Sequence, residues 1–371
     1  MKIGIDASRA LMKERTGIEE YAYQIIRHLR GKLGEHKVVL YVKLDDFNRR
    51  KFDIPDNWQV KPISFNYMWT QLGLSLEMLT NPVDVLFVPA HTVPFIHPKK
   101  TVVTVHGLEY EHCPESYSGY SRWFHRMFVR RSCHWAWKII AVSMNTRKDL
   151  FNMYKVPKDK VEVVYNGFDE ELKKKAASAM DKVQQQKYFI TGFGSFVLFI
   201  GRLEKRKNIN GIIVAFEKMK DSKYSGKLLL AGKEGYGYWS ISKQIQESKY
   251  KDDIVELGFI ADSDKWKLLR EADVFMFPSL CEGFGIPILE AQSVGTPVIT
   301  SFMGPLDEVT GNSDVLVDPT KPEEIALLGN KIISNETFKQ DVVKEGFENV
   351  MRFSWNKSAL EVVKVLTCAK M

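Results

Sequence analysis

Short apolar runs separated by helix-patterned segments recur along the whole chain, and no other feature limits its fold so tightly. In the first half they fall at 2–6, 38–42, 83–89, 101–106, 138–143 and 161–165; in the second, at 196–201, 227–232, 253–258, 274–278, 297–301 and 315–318. This alternation argues for parallel sheets covered by helices. The two sets read as two doubly wound α/β units, 1–170 and 191–354, and 371 residues are enough for two separate cores. The joint, 171–190, is rich in lysine, alanine and glutamine and reads as a solvated helix or connector. Open α/β sheets bind ligands at the carboxyl ends of their strands, so the expected active site lies in the cleft between the units.

One segment, Cys281-Glu-Gly-Phe-Gly-Ile-Pro-Ile-Leu-Glu-Ala-Gln-Ser-Val-Gly-Thr-Pro297, carries the densest chemistry. Pro287 suits the first turn of a helix and Gly295 the residue past its end. Gly283 and Gly285 permit close backbone approach by a ligand, and the free N–H groups of the helix start favour an anion. Glu282 and Glu290 stand on either side of that start. The arrangement suits a molecule with hydroxyls at both ends and phosphates in the middle, as in a nucleotide sugar. The alternative is a solvated Glu282, a Glu290 that only complements the helix dipole, and glycines that only turn the chain.

Upstream, the run 196–201 leads into Gly201-Arg202-Leu-Glu-Lys-Arg-Lys207-Asn208. Asn208 reads as the cap of a helix whose Ile209, Ile212, Ile213 and Phe216 form one apolar face. Arg202 and Lys207 emerge from this strand-to-helix loop, where two cations can neutralise a diphosphate in binding and as a leaving group. The alternative is a charged surface turn, which also accounts for Lys205 and Arg206.

Together these two segments resemble the donor-binding signature of retaining GT-B glycosyltransferases, in the large family that includes sucrose synthase and bacterial mannosyltransferases (glycosyltransferase family 4-like, group 1). The resemblance implies two Rossmann-like domains facing across a cleft, with the last helix, 355–371, packed back on the first. It implies Glu282 on the sugar hydroxyls, helped by the backbone at Gly283, Phe284, Gly285 and Ile286. Glu290 falls to the ribose, Arg202 and Lys207 to the diphosphate, and Phe259 and Ile260 to the flanks of the base. In the first unit, Gly17 would let backbone N–H groups reach the diphosphate, although it reads equally well as an ordinary helix-entry glycine. Arg9 and Arg15 share its loop. His106, at the end of a strand, would contact the donor sugar and stabilise the reacting centre. Gly107 stands where related enzymes carry an aspartate, so that carboxylate's role is absent or shifted to Glu109.

The implied reaction moves a hexose from a nucleotide diphosphate sugar to a glycan or lipid-linked glycan in polysaccharide assembly. GDP-mannose is the favoured donor, with UDP-sugars open. No residue stands out as a nucleophile, which agrees with a front-face transfer. Two rivals share the scaffold: a nucleotide-sugar epimerase, and a non-catalytic nucleotide-sugar-binding subunit.

The remaining signals bound partners and location. No dinucleotide fingerprint or G-x4-G-K-S/T motif occurs, so no cofactor is expected. Asp262-Ser-Asp264 reads as the cap of a helix starting near Lys265 rather than as a metal site, and no catalytic metal is expected. A net charge of +7 suits a phosphorylated ligand or an anionic surface and is too diffuse to argue for nucleic acid. Arg122, Arg126 and Arg130 recur four apart near Trp123, Trp135 and Trp137, so 122–137 reads either as a membrane-surface helix or as an ordinary cover for the sheet. Tyr67-Met-Trp-Thr-Gln-Leu72 reads as part of an acceptor site or as an aromatic core patch. Cys113, Cys133, Cys281 and Cys368 show no metal or disulfide pattern, and no leader precedes the first strand. The expected home is the reducing cytoplasm, with peripheral contact at the inner face of the membrane.

Overall fold

The structure, a computed structural model, describes residues 1–12, 17–49, 54–65, 67–168 and 192–368. Arg15 and the expected joint 171–190 lie outside the described residues. The chain divides into two compact units: Met1–Leu108 with Gly119–Gly167 and Phe353–Met371, and Glu109–Ser118 with Phe168–Arg352. The first unit is therefore not the uninterrupted block 1–170, because Glu109–Ser118 packs with the second.

Unit 1 holds a seven-stranded sheet of β1 (Lys2–Asp6), β2 (Lys37–Lys43), β3 (Trp58–Ile63), β4 (Val85–Val88), β5 (Lys100–Val105), β6 (Lys138–Ala141) and β7 (Val161–Val163). The order is β3-β2-β1-β4-β5-β6-β7, and every pairing is parallel. The central strands are buried on both faces, which is why they read as nearly unbroken apolar runs. β3 escaped the sequence reading. It is an edge strand, mostly half-buried, with Lys61 and Pro62 interrupting the apolar pattern, and only an edge tolerates a proline without an N–H.

The helix Gly17–Leu29 buries Tyr21, Ala22, Ile25, Ile26 and Leu29 completely. Each of its large aliphatic side chains contributes about 1.5–3 kcal/mol of burial, so Ile25→Ala is the change that would loosen it. The Trp355–Thr367 helix packs in this unit as well. Its Ser358 Oγ donates to the Tyr165 carbonyl at 2.6 Å, and Trp355 lies 5.9 Å from the Tyr21 ring. Gly167 permits this contact, because a Cβ there would collide with the backbone of Trp355.

Unit 2 holds β8 (Phe196–Ile200), β9 (Lys227–Ala231), β10 (Ile254–Gly258), β11 (Val274–Phe277), β12 (Val298–Ser301) and β13 (Leu316–Val317). The order β10-β9-β8-β11-β12-β13 is again wholly parallel. Phe199, Phe275 and Phe277 are fully buried and stack in pairs at 5.8–6.0 Å across the sheet's middle. Both sheets therefore reverse direction beside their first strand, between β1 and β4 and between β8 and β11. Such a switch point opens a crevice at the strands' carboxyl ends.

Three expectations need correction. Asn208 occupies the helix-start position but makes no cap bond. Its φ of 59° turns the backbone left-handed and sends the side-chain amide to the carbonyls of Pro278 at 3.2 Å and Pro319 at 2.6 Å. The helix placed near Lys265 begins at Asp262, preceded by Ala261, so Asp264 lies in its first turn. Finally, Cys113 and Cys281 form a disulfide, although they are 168 residues apart and fit no framework spacing.

Candidate active site

At the switch point of unit 2, the chain leaving β8 and the chain leaving β11 meet. The first makes a tight turn, Lys205–Lys207, ended by the left-handed Asn208. The second passes through Ser279 and Cys281 to the Ile286–Ser293 helix. Gly285 precedes that helix with φ 104°, a conformation that favours glycine, and a Cβ there would press on Leu306 and Ile288.

Glu282 is the centre of this meeting. Its side chain is 8% exposed. Lys207 Nζ and Ser279 Oγ (3.1 Å) both donate to Oε1, and Arg206 Nη1 donates to Oε2 at 3.3 Å. Lys207 also lies over the Phe277 ring at 4.9 Å. Burial by itself would push the Glu282 carboxyl up, but Lys207 and Arg206 outweigh it and hold the group below its ordinary value. Burial and the adjacent Arg206 lower Lys207 against the pull of Glu282. Arg206 is raised: burial opposes its charge, but Glu282, Glu204 and Glu109 more than offset that. Burial lifts the Glu109 carboxyl above its usual range, with Arg206 pulling the other way.

The Cys113–Cys281 disulfide ties the segment carrying Glu109 and Tyr117 to the residue beside Glu282. The alternative of a charged surface turn does not hold for Arg206. That arginine is the link between the two loops, and its Nε lies 2.7 Å from Glu204 Oε1. The sequence signal that could have found it is its place inside the Gly201–Asn208 segment, next to Lys207.

The other residues singled out in unit 2 are placed apart from this cluster. Arg202 is exposed, its stem lying against Gly235. Glu290 sits in the second turn of the Ile286–Ser293 helix, with Lys265 Nζ donating to its Oε1 at 2.7 Å. Phe259 is 62% exposed, with Lys233 Nζ 5.1 Å from its ring, and Ile260 is half-buried beside it. Gly283 and Phe284 are buried, and Ile286 is half-buried at the first helical position.

In unit 1, Gly17 opens its helix with open space around it, and Tyr21, one turn on, packs edge-on against His106 at 4.7 Å. Arg9 is half-exposed and pairs with Glu19 at 3.4 Å. His106 follows β5, 8% exposed, with Nε2 2.9 Å from the Pro89 carbonyl and the His91 ring at 5.1 Å. Nε2 must donate to that carbonyl, so in the neutral ring Nδ1 is an acceptor. Burial lowers the pKa of His106 to about 4, so the ring is neutral at physiological pH.

The description "Glycosyl transferases group 1" belongs to a family model that matches residues 180–349, and "Glycosyltransferase Family 4" to one that matches 15–172. Together they span most of the chain. The chain belongs to the group 1 glycosyltransferases. An uncharacterized glycosyltransferase of Methanocaldococcus jannaschii is 28% identical over 336 residues, 84% of either chain. O-antigen chain mannosyltransferase B of Escherichia coli is 26% identical over 266 residues, covering 71% of this chain and 69% of that one.

Among solved structures, sucrose-phosphate synthase from Thermosynechococcus elongatus superposes with a TM-score of 0.75 at 18% identity, over 97% of each chain. Anabaena HepE, in complex with UDP and glucose, gives 0.71 at 18% identity, over 99% of this chain and 100% of that one. These likenesses show the GT-B fold, two Rossmann-like domains, as the glycosyltransferase resemblance implies. Among the described residues, no helix is long and apolar enough to cross a membrane.

Proposed function

We propose that this glycosyltransferase is a retaining enzyme that moves a hexose from a nucleotide diphosphate sugar to a glycan or lipid-linked glycan, with GDP-mannose as the favoured donor. The observation that carries the reading is the Glu282–Lys207 pair at the start of the Ile286–Ser293 helix, at the switch point where doubly wound sheets bind nucleotides. Lys207 has ammonium protons beyond the one given to Glu282, and these and the free helix N–H groups suit phosphate oxygens. Arg202, exposed at the same loop, is the second cation for the diphosphate. Glu282 takes the sugar hydroxyls. Glu290 takes the ribose and shares its carboxylate with Lys265. Phe259 and Ile260 flank the base.

The neutral Nδ1 of His106 suits a sugar hydroxyl. The reaction needs an oriented acceptor and stabilisation of the departing diphosphate, both of which act only if charge is preorganised. We find no nucleophile to assign, in keeping with front-face transfer. No cofactor or metal enters this scheme.

The curated mannosyltransferase relatives favour mannose, while the UDP complex of Anabaena HepE keeps UDP-sugars in play. Calorimetry with GDP, UDP and ADP, on wild type and on Lys207→Ala, tests the donor. Tight binding of one nucleotide, weakened by the substitution, supports the site; no binding by any of them removes it. NMR of the product then reads the anomeric configuration, and inversion would overturn retention. Release of free nucleotide with no acceptor glycan present would turn the reading towards an epimerase.

Peripheral membrane contact through 122–137, at the cytoplasmic face, belongs to the same proposal. The helix Gly119–Trp135 buries Phe128, Val129, Ser132 and Cys133 and exposes Tyr120, Trp123, Arg126 and Arg130 on another face. Phe95 adjoins it through Trp135 at 6.1 Å; the next residue, exposed Ile96, donates its N–H to Ser75 Oγ of the Ser75–Thr80 helix, whose Leu76 and Leu79 are exposed. An apolar strip edged by arginines fits an anionic bilayer. In the stretch 67–72, Trp69 is buried and Tyr67 is exposed, so the segment is partly core and partly available to an acceptor. Sedimentation with vesicles containing anionic lipid, compared with neutral vesicles, tests the contact; equal recovery from both would refute it.

A further inference from the structure

Arg206 grips the Glu282 loop by both backbone and side chain. Its carbonyl accepts from the Leu280 N–H at 2.9 Å, and its Nη1 donates to the Cys281 carbonyl at 3.2 Å and to Glu282 Oε2 at 3.3 Å. Its third anchor is Glu204, 2.7 Å from Nε. The guanidinium is planar and rigid, so these contacts fix a direction as well as a distance.

The carboxylate of Glu282 has about four accepting positions. Among the described residues, Lys207 and Ser279 occupy Oε1, while Oε2 takes a single bond, from Arg206. We infer that Arg206 is a positioning residue: it locks Glu282 so that the remaining acceptor on Oε2 is presented to a sugar hydroxyl, without itself touching the donor. This rests on the nucleotide-sugar reading. Lysine cannot replace it, because one ammonium on a flexible stem cannot span Glu204, the Cys281 carbonyl and Oε2 together.

The measurement separates the sugar from the nucleotide. For Arg206→Gln and Arg206→Lys, calorimetry reads the affinity for GDP and UDP alone, and initial rates read transfer from the intact nucleotide sugar. The expected result is nucleotide affinity within about two-fold of wild type, with kcat/KM for transfer down at least about ten-fold (1.4 kcal/mol per factor of ten). Adding Arg206→Gln to Glu282→Gln should then lower transfer little further, because the group it positions is already altered.

Equal weakening of nucleotide and nucleotide sugar would overturn the proposal and put Arg206 on the phosphates. Full additivity with Glu282→Gln would also overturn it. If Arg206→Gln does not fold, Arg206→Lys carries the same comparison. Failure of the nucleotide-sugar reading looks different: wild type itself would bind neither GDP nor UDP.

Discussion

The two switch points share a strand order and differ in chemistry. Beside β1 and β4, burial lowers the pKa of both His106 and His91 and raises that of Asp6, while an ion pair there, Arg9 with Glu19, is half-exposed on its arginine side. Beside β8 and β11, Glu282 pairs with both Lys207 and Arg206 in a buried cluster, and the two cations hold its carboxyl below its ordinary value. The fold supplies the same crevice twice. Only the loop residues differ: two imidazoles of lowered pKa stand at one crevice, and a lysine and an arginine paired with a glutamate at the other.

Removing a charge from the second crevice should break the comparison most visibly. Lys207→Ala leaves Glu282 in a buried site with one cation fewer, held by Arg206 and the Ser279 hydroxyl. Truncating one partner of a buried pair costs about 3–5 kcal/mol. Urea unfolding followed by hydrogen exchange in 196–206 and 274–290 should show that loss. Nucleotide affinity should fall by one to two orders of magnitude, about 1.5–3 kcal/mol for a charged hydrogen bond. His106→Ala should leave nucleotide affinity unchanged. If both variants weakened it alike, the division of labour between the crevices would be wrong.

Next in size is the Cys113–Cys281 disulfide, which has no counterpart among the described residues of unit 1. A native crosslink contributes typically 2–4 kcal/mol by restricting the unfolded chain, more for long loops. Cys113→Ser should destabilise unit 2 by that order. It should also speed hydrogen exchange in 109–118, leaving β1 to β7 unaffected. Uniform protection in both units would show that the link restrains nothing in the folded state.

The sequence allowed much of this to be read, for identifiable reasons. The strands buried on both faces are continuous apolar runs, so they were legible, and β3 was not, because an edge strand mixes Gln59, Lys61 and Pro62 into its pattern. Lys207 and Glu282 were legible as members of dense local motifs. Arg206 was not, since whether an arginine in Lys-Arg-Lys faces water or a carboxylate depends on a loop 75 residues away. The disulfide was hidden in the same way. Asn208 was misjudged because capping statistics assume an extended backbone at that position, and here a left-handed φ turns the amide elsewhere.

The crevice beside β1 and β4 yields a pH signature of its own. His106 has a folded pKa of about 4 against an ordinary 6.5, so between those values the unfolded chain binds more protons. Its contribution to stability is present above pH 6.5 and is lost as pH falls towards 4, by up to roughly 3 kcal/mol. His106→Gln keeps a donor for the Pro89 carbonyl and removes that slope, leaving the part due to His91. Six of the eight tryptophans (Trp58, Trp69, Trp123, Trp135, Trp137 and Trp355) lie in unit 1 and two (Trp239 and Trp266) in unit 2, so tryptophan fluorescence during urea unfolding is weighted towards unit 1. Retention of the full slope in His106→Gln would show that the imidazole titrates normally and is not the buried neutral acceptor.

The smallest effect concerns how the two units start their helices. In unit 1, Ser143 precedes the Met144–Tyr154 helix. Its Oγ accepts from the Thr146 N–H at 3.0 Å and donates to Thr146 Oγ1 at 2.9 Å. Ser143→Ala leaves that N–H unsatisfied in a buried place and should cost about 1 kcal/mol. The loss should appear in the same fluorescence-monitored unfolding and as faster exchange at Thr146. Asn208 makes no such bond in unit 2, so Asn208→Gly, which suits its left-handed φ, should leave the first-turn amides of the Ile209–Asp221 helix exchanging as before. Its cost should arise instead from the lost bonds to the Pro278 and Pro319 carbonyls. Faster exchange at those first-turn amides would mean that Asn208 caps after all, and that the two helix starts differ less than their geometry says.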